Sequence, residues 1–254
     1  MIISVLFCSF VQAAPILQVA VGWNKPPYVM QYTKSGFEVD LVKAVFQNIG
    51  HQVEFVHIPY GRSHEILEAT NFDAAMTLSD KVQTPNTFLS NEYVRYQNVA
   101  VSLLSPPLDI TSIESLADYS IVAFQNAKNL LGPRFHHMAE NHQAYSEVPD
   151  QIRQLKLLYY GKAQVIVMDV NIFKYFDNQL RNDISYQQTQ IHPLFAASTY
   201  RVGFVDKALR DKFNSALEAY LESNDYQHLL ETYQFDQTGL GIKKLPHVFN
   251  QGFE

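Results

Sequence analysis

Two aromatic rings, Trp23 and Tyr28, stand in the segment Gly22-Trp23-Asn24-Lys25-Pro26-Pro27-Tyr28, directly after the short apolar run Leu17–Val21. Adjacent prolines fix their own φ angles and keep the residues before them extended. The loop is therefore stiff, and its rings point in set directions. Rings held this way can wall the apolar part of a guest or stack on a cation, or they can cap a core. Asp169 follows the apolar run Val165–Met168. At that place it either meets a cation in a cleft or caps a helix over 170–176. Arg62, in the run Tyr60-Gly61-Arg62-Ser63, is either a bidentate clamp for a carboxylate or a solvated cation. Tyr60 beside it is either a guest-facing wall or a packing ring. Thr77 with Ser79, and Gln125 with Asn126, supply hydroxyls and amides that can hold a polar guest or simply make turns.

Other chemistries find no support. Cys8 is the only cysteine in 254 residues, so no Cys/His nucleophile can be assembled, and no Ser/His/Asp arrangement can be argued. The adjacent pair His136-His137 points in different directions on a helix and cannot readily share an ion, so no metal site is expected. No phosphate-cradling glycine motif occurs, and no cofactor is expected. The net charge of −6 without a basic block argues against nucleic acid and against anionic lipid.

Residues 1–13 read as a secretory leader, with Val11-Gln12-Ala13 supplying small residues for cleavage and Pro15 disfavouring a cut after Ala14. The usual early Lys or Arg is missing, and a buried core strand is the competing reading. With Cys8 in the leader, the mature chain has no disulfide and must hold its fold by its core. The leader is too short to span a bilayer, and no apolar run in the rest of the chain is long enough to do so. The chain is expected to be exported, soluble and monomeric.

The elements that must position these residues form two series. Leu17–Val21, Val53–Ile58 and Ala74–Thr77 read as strands, separated by helical stripes over Asp40–Ile49 and Ser63–Ala69, with Gly50 ending the first. This order favours a parallel sheet with right-handed crossovers. Gln97–Leu104 is a further strand. A second series follows: strand Ile121–Phe124, helices Asn129–Ala139 and Asp150–Tyr160, strand Val165–Met168 and a short helix Ile172–Phe176. Strand Arg201–Val205 and helices Lys207–Glu222 and Asp225–Tyr233 close the chain, and the tail from Gln234 reads as irregular. The expected fold class is α/β with two lobes, each a mostly parallel sheet flanked by helices, joined by a two-strand hinge. Residues 14–100 and 199–254 form lobe 1, and 101–198 form lobe 2. A ligand cleft between lobes is the usual consequence.

The order of PPY at 26–28, GFEVDL at 36–41, VEFV at 53–56, FDAAMT at 72–77, ESLADYSIVAFQNA at 114–127, GKAQVIVMD at 161–169 and the terminal run from Ala208 to Tyr233 resembles the periplasmic solute-binding proteins of family 3. Members bind polar amino acids for ABC importers. The resemblance implies two lobes that close on a ligand, a closed form read by a membrane permease, and no enzyme activity. It implies that Tyr28 covers the ligand, that Asn24 stands where many members have Asp, and that Thr77 and Ser79 hold a ligand carboxylate. Gln125, Asn126 and Ala127 match a turn that holds an anion through backbone N–H groups. Asp169 matches the acid that pairs with a ligand ammonium. One departure stands out: no Arg occurs between Arg62 and Arg95, where amino-acid binders carry a carboxylate clamp, and Lys81 lacks the planar fork. The expected function is capture of a small polar, amine-bearing solute. The alternatives are a periplasmic enzyme of the same fold, of the cyclohexadienyl dehydratase type, or a ligand-sensing subunit for a membrane receptor.

Overall fold

An apolar run without alternation, such as Leu17–Val21, suits a strand covered on both faces. In the computed structural model, which describes residues 16–58, 67, 72–79 and 86–235, it forms β1 (Leu17–Gly22). This strand pairs in parallel with β2 (Val53–Ile58) on one side and β3 (Ala74–Ser79) on the other. Two antiparallel strands complete the first sheet, β4 (Phe88–Tyr96) at the edge and β10 (Ser198–Phe204) inside it, giving the order β2-β1-β3-β10-β4.

The second sheet repeats the plan. β6 (Ile121–Phe124) lies parallel between β7 (Tyr145–Val148) and β8 (Val165–Asp169), and β5 (Asn98–Leu103) lies antiparallel between β8 and β9 (Thr189–His192). The chain passes from the first sheet to the second at Gln97 and back through 193–197. These passages are tied together, because Gln97 Nε2 donates to the Phe195 carbonyl at 2.7 Å. Two helix-flanked sheets form, as expected, and each is mixed: three parallel strands, then two antiparallel ones.

Helix α1 (Phe37–Asn48) has no side-chain cap. The proline loop caps it instead: the Phe37 N–H donates to the Pro27 carbonyl at 2.9 Å and the Glu38 N–H to the Tyr28 carbonyl at 3.0 Å. Gly36 makes this approach possible, since its φ is 130° and a Cβ there would lie 2.4 Å from the Tyr28 oxygen. The loop thereby fixes the direction of Glu38 in the first helical turn.

The single helix expected over Asn129–Ala139 is two, α2 (Ala127–Leu130) and α3 (Pro133–Glu140). Gly132 takes φ 90° and Pro133 can only begin a helix, so the break is local chemistry. Asp150 stands at the N-cap of α4 (Gln151–Tyr159) but makes no side-chain capping bond. α5 (Val170–Leu180) is longer than expected. α6 (Lys207–Leu221) buries Phe213, Leu217 and Tyr220, and α7 (Asn224–Thr232) follows it. Burying a side chain such as Phe213 is worth roughly 1.5–3 kcal/mol, which is what fixes α6 on the first sheet.

Strands β4, β7 and β9 were not expected. β4 pairs with β10 through register shifts, and such irregularity erases the alternation that marks a strand in sequence. The leader at 1–13, the helix expected over Ser63–Ala69 apart from Leu67, and the tail beyond 235 lie outside the described residues. Among the described residues no helix is long and apolar enough to cross a membrane.

Candidate ligand cleft

The first wall of the cleft is built on an acid in the wrong place. Positions 38, 41, 42 and 45 share one face of α1, and Leu41, Val42 and Val45 are core. Glu38 on that face is therefore fully buried. A buried charge needs a partner, and the proline loop supplies one: Lys25 Nζ lies 3.1 Å from Glu38 Oε1, with both side chains nearly inaccessible. Tyr93 and Tyr96 on β4 each donate a short hydroxyl bond to the same carboxylate, and the Thr77 hydroxyl donates at 2.7 Å. Burial pushes the Glu38 carboxyl up, but Lys25 and the three hydroxyls outweigh it and hold the group below its ordinary value. Both tyrosines are pushed well above the ordinary tyrosine value by burial and by Glu38, so they remain donors. Lys25 Nζ also sits 4.6 Å from the centre of the Tyr96 ring. Thr77 has φ 60° inside β3, a conformation rare for a β-branched residue. It is held there by its hydroxyl bond to Glu38 and by its N–H, which donates to Tyr93 Oη at 3.1 Å.

The second wall is built on Asp169, the last residue of β8 and the N-cap of α5. Its Oδ1 accepts the N–H groups of Asn171 and Ile172 at 2.9 and 3.1 Å, and its Oδ2 accepts the Gln97 N–H at 2.8 Å. Tyr28 reaches across from the first lobe and donates to Oδ1 at 3.1 Å, while Asn171 Nδ2 donates to the Tyr28 oxygen at 3.0 Å. Among the described residues no Lys or Arg pairs with Asp169. Burial pushes its carboxyl up to about 6, against the hydrogen bonds that favour the ionised form. Tyr28 is itself fully buried and stacked on Tyr96, ring centres 4.1 Å apart.

Between the walls lies a cleft of about 700 Å³, bordered from both sheets. Of the residues expected to touch a guest, Thr77, Ser79, Gln125, Asn126 and Asp169 line it together. Tyr28 lies behind the wall and reaches Asp169 only through its hydroxyl. Trp23 is half exposed outside the lining, and Asn24 accepts the Gln31 N–H at 3.1 Å on the exterior. Tyr60 and Arg62 lie outside the described residues. The turn expected to hold an anion is already filled: the N–H groups of Asn126 and Lys128 donate to Glu147 at 2.6 and 2.9 Å.

Sequence reasoning missed Lys25, Tyr96, Asn98, Glu147, Gln151 and Tyr200 at the cleft, and Glu38 beneath it. The signal for Glu38 and Lys25 was present, since an acid on an apolar helical stripe demands a nearby cation. Tyr96 and Glu147 stand on the unexpected strands β4 and β7, so their place could not be read.

Residues 17–237 match the family model of bacterial extracellular solute-binding proteins, family 3. No curated protein matches the sequence. Among solved structures, an ancestral arginine-binding protein bound to arginine is 19% identical, with a TM-score of 0.68 over 87% of this chain and 99% of that one. The GluR0 ligand-binding core in complex with L-glutamate is 15% identical, with a TM-score of 0.71 over 87% and 99%. An ancestral amino-acid-binding protein described as a precursor of cyclohexadienyl dehydratase is 18% identical, with a TM-score of 0.64 over 86% and 95%. At these identities the likeness is one of fold.

Proposed function

We propose that this chain, which belongs to family 3 of the bacterial extracellular solute-binding proteins, captures a small polar, amine-bearing solute in the cleft between its sheets. The observation that carries the reading is Asp169, a buried carboxylate on the cleft with only neutral donors around it among the described residues. Such a group gains most from an incoming cation, because the cation supplies the charge partner that burial otherwise denies it. Thr77, Ser79, Gln125 and Asn126 hold the polar remainder of the solute, and Tyr96 and Tyr200 cover its apolar part. Trp23 and Asn24 act at the rim when the lobes shut; Tyr60 and Arg62, outside the described residues, are candidate contacts on the sequence alone.

A guest that touches both walls only in the closed form shifts an existing open–closed equilibrium. The closed form is then handed to the permease of an ABC importer. The protein works as an exported monomer in the periplasm, with residues 1–13 as its leader, lobe 1 at 14–100 and 199–254, and lobe 2 at 101–198. It binds its guest without transforming it. Calorimetry against a panel of polar metabolites tests the capture: one or more amine-bearing solutes give saturable heat in wild type, and Asp169→Asn weakens that binding at least about tenfold. Tight amine binding that survives Asp169→Asn unchanged removes the role given to that acid. Incubation with prephenate or arogenate gives no aromatic product, and a product would make the chain an enzyme.

A further inference from the structure

We propose that the guest is an amine that carries no carboxylate. This rests on the capture of an amine argued above and concerns only what the rest of that guest can be. An α-amino acid needs an acid for its ammonium and, for its carboxylate, either a cation or N–H and O–H donors not already engaged. The cleft offers the first. Among the described residues, the donors at the two places expected to hold that carboxylate, around Thr77 and around Asn126, are turned inward, each onto a carboxylate of the chain itself or a tyrosine bound to one.

Thr77 gives its hydroxyl to Glu38 and its N–H to Tyr93. Lys25 gives its charge to Glu38 at 3.1 Å. The N–H groups of Asn126 and Lys128 both go to Glu147, which also accepts the Tyr145 hydroxyl at 2.7 Å. A guest carboxylate entering at either place must displace an internal one and strand it. For Glu38, fully buried, that means an uncompensated charge in the core.

What remains on the walls suits a cation. Among the described residues, the charged side chains lining the cleft are Lys25, Glu147 and Asp169. With Lys25 neutralised by Glu38, the two acids are left in excess, and like charges repel an entering carboxylate. Gln151 lines the same cleft, and its Oε1 is buried with no hydrogen-bond partner. That orphan acceptor is satisfied by a guest N–H and not by a carboxylate. Tyr96, Tyr200 and Phe124 present ring surface to the cleft, and Lys25 over Tyr96 shows that an ammonium can settle there.

Matched pairs that differ only in the carboxylate test this on the full chain by calorimetry: 1,4-diaminobutane with ornithine, agmatine with arginine, histamine with histidine, and tyramine with tyrosine. The expected result is that the amine binds at least tenfold more tightly than its amino acid in every pair that binds. Amino acids binding as tightly as their amines, or more so, overturn this proposal and leave the capture of an amine standing. No heat from either member of any pair overturns both. A second measurement uses Glu147→Ala, checked by thermal melt to be folded. It frees the Asn126 and Lys128 N–H groups, and the amine-to-amino-acid ratio is expected to fall at least threefold. An unchanged ratio removes Glu147 as the internal occupant of that turn.

Discussion

The two walls of the cleft each bury a carboxylate and treat it in opposite ways. Glu38 has a resident cation, three hydroxyl donors and a pKa held below its ordinary value. Asp169 has N–H and O–H donors only among the described residues, and burial raises it to about 6. Both are bonded enough to be held still, so hydrogen bonding does not separate them. Charge compensation does. The compensated acid is scaffold, because its energy is already satisfied inside the protein. The uncompensated acid is where a guest has something to offer.

The largest effect follows from the first wall. Glu38→Gln leaves the Lys25 ammonium buried without its partner, and breaking such a pair costs about 3–5 kcal/mol. Urea unfolding of the variant is expected to show a loss of that size. The double variant Lys25→Met/Glu38→Gln recovers most of it, since removing both charges also removes the desolvation cost. If Glu38→Gln melts like wild type, the first wall is not a compensated pair and the contrast disappears.

The second wall should respond in binding rather than in stability. Asn is nearly as good an N-cap as Asp, so Asp169→Asn keeps the α5 start and melts within about 1 kcal/mol of wild type. Its affinity for an amine falls by roughly 10- to 100-fold, the worth of a charged hydrogen bond lost to a cation. A variant that unfolds while an untouched fraction still binds would place Asp169 with Glu38 as scaffold.

Much of this contrast was open to a reader of the chain, and the reason for the rest is physical. Two sheet-and-helix series and their cleft follow from apolar periodicity, because burial writes itself into residue type. Asp169 was visible because it ends an apolar strand. The turn at Gln125–Asn126 was expected to hold a ligand anion; the N–H groups of Asn126 and Lys128 instead go to Glu147, which arrives from β7, and pairing between distant strands leaves no local trace. Trp23 shows the converse: a stiff proline loop predicts that a ring is aimed, and the direction depends on Gly36 letting the loop lie on α1.

Acidity separates the walls more finely. The Asp169 carboxyl, raised from 3.8 to about 6, binds its proton more tightly when folded than when unfolded. Its contribution to stability is therefore largest below pH 4 and is lost as pH rises through 6. Glu38 runs the other way: its contribution is present above its ordinary value of 4.5 and is lost as pH falls through its lower folded value. Between pH 4.5 and 6 Asp169 makes guest-free stability fall as pH rises, while His192, its ring lowered from 6.5 by burial, works against it; Asp169→Asn should remove the falling contribution. Amine affinity needs the ionised acid, so it should fall about tenfold per pH unit below 6. Affinity that is flat from pH 7.5 to 5 would show that the guest does not meet this group.

The smallest effect tests a side chain that joins the two walls. Tyr28 stacks on Tyr96, which bonds Glu38, and gives its own hydroxyl to Asp169. Tyr28→Phe keeps the ring and its stack and removes only that hydroxyl. The hydroxyl donates to the charged form of Asp169 and so lowers its pKa. Without it the carboxyl should rise further, and the pH at which amine binding is half lost should move upward by a fraction of a unit. At pH 7.5 the affinity should drop by only about threefold, in line with about 0.5–1.5 kcal/mol for one hydroxyl bond. A midpoint that stays where it is in wild type, with the drop in affinity the same at every pH, would mean that Tyr28 shapes the cleft by packing and leaves the acid alone. The two walls would then be electrostatically independent, and the first lobe would influence the guest through its cleft-lining side chains and not through Asp169.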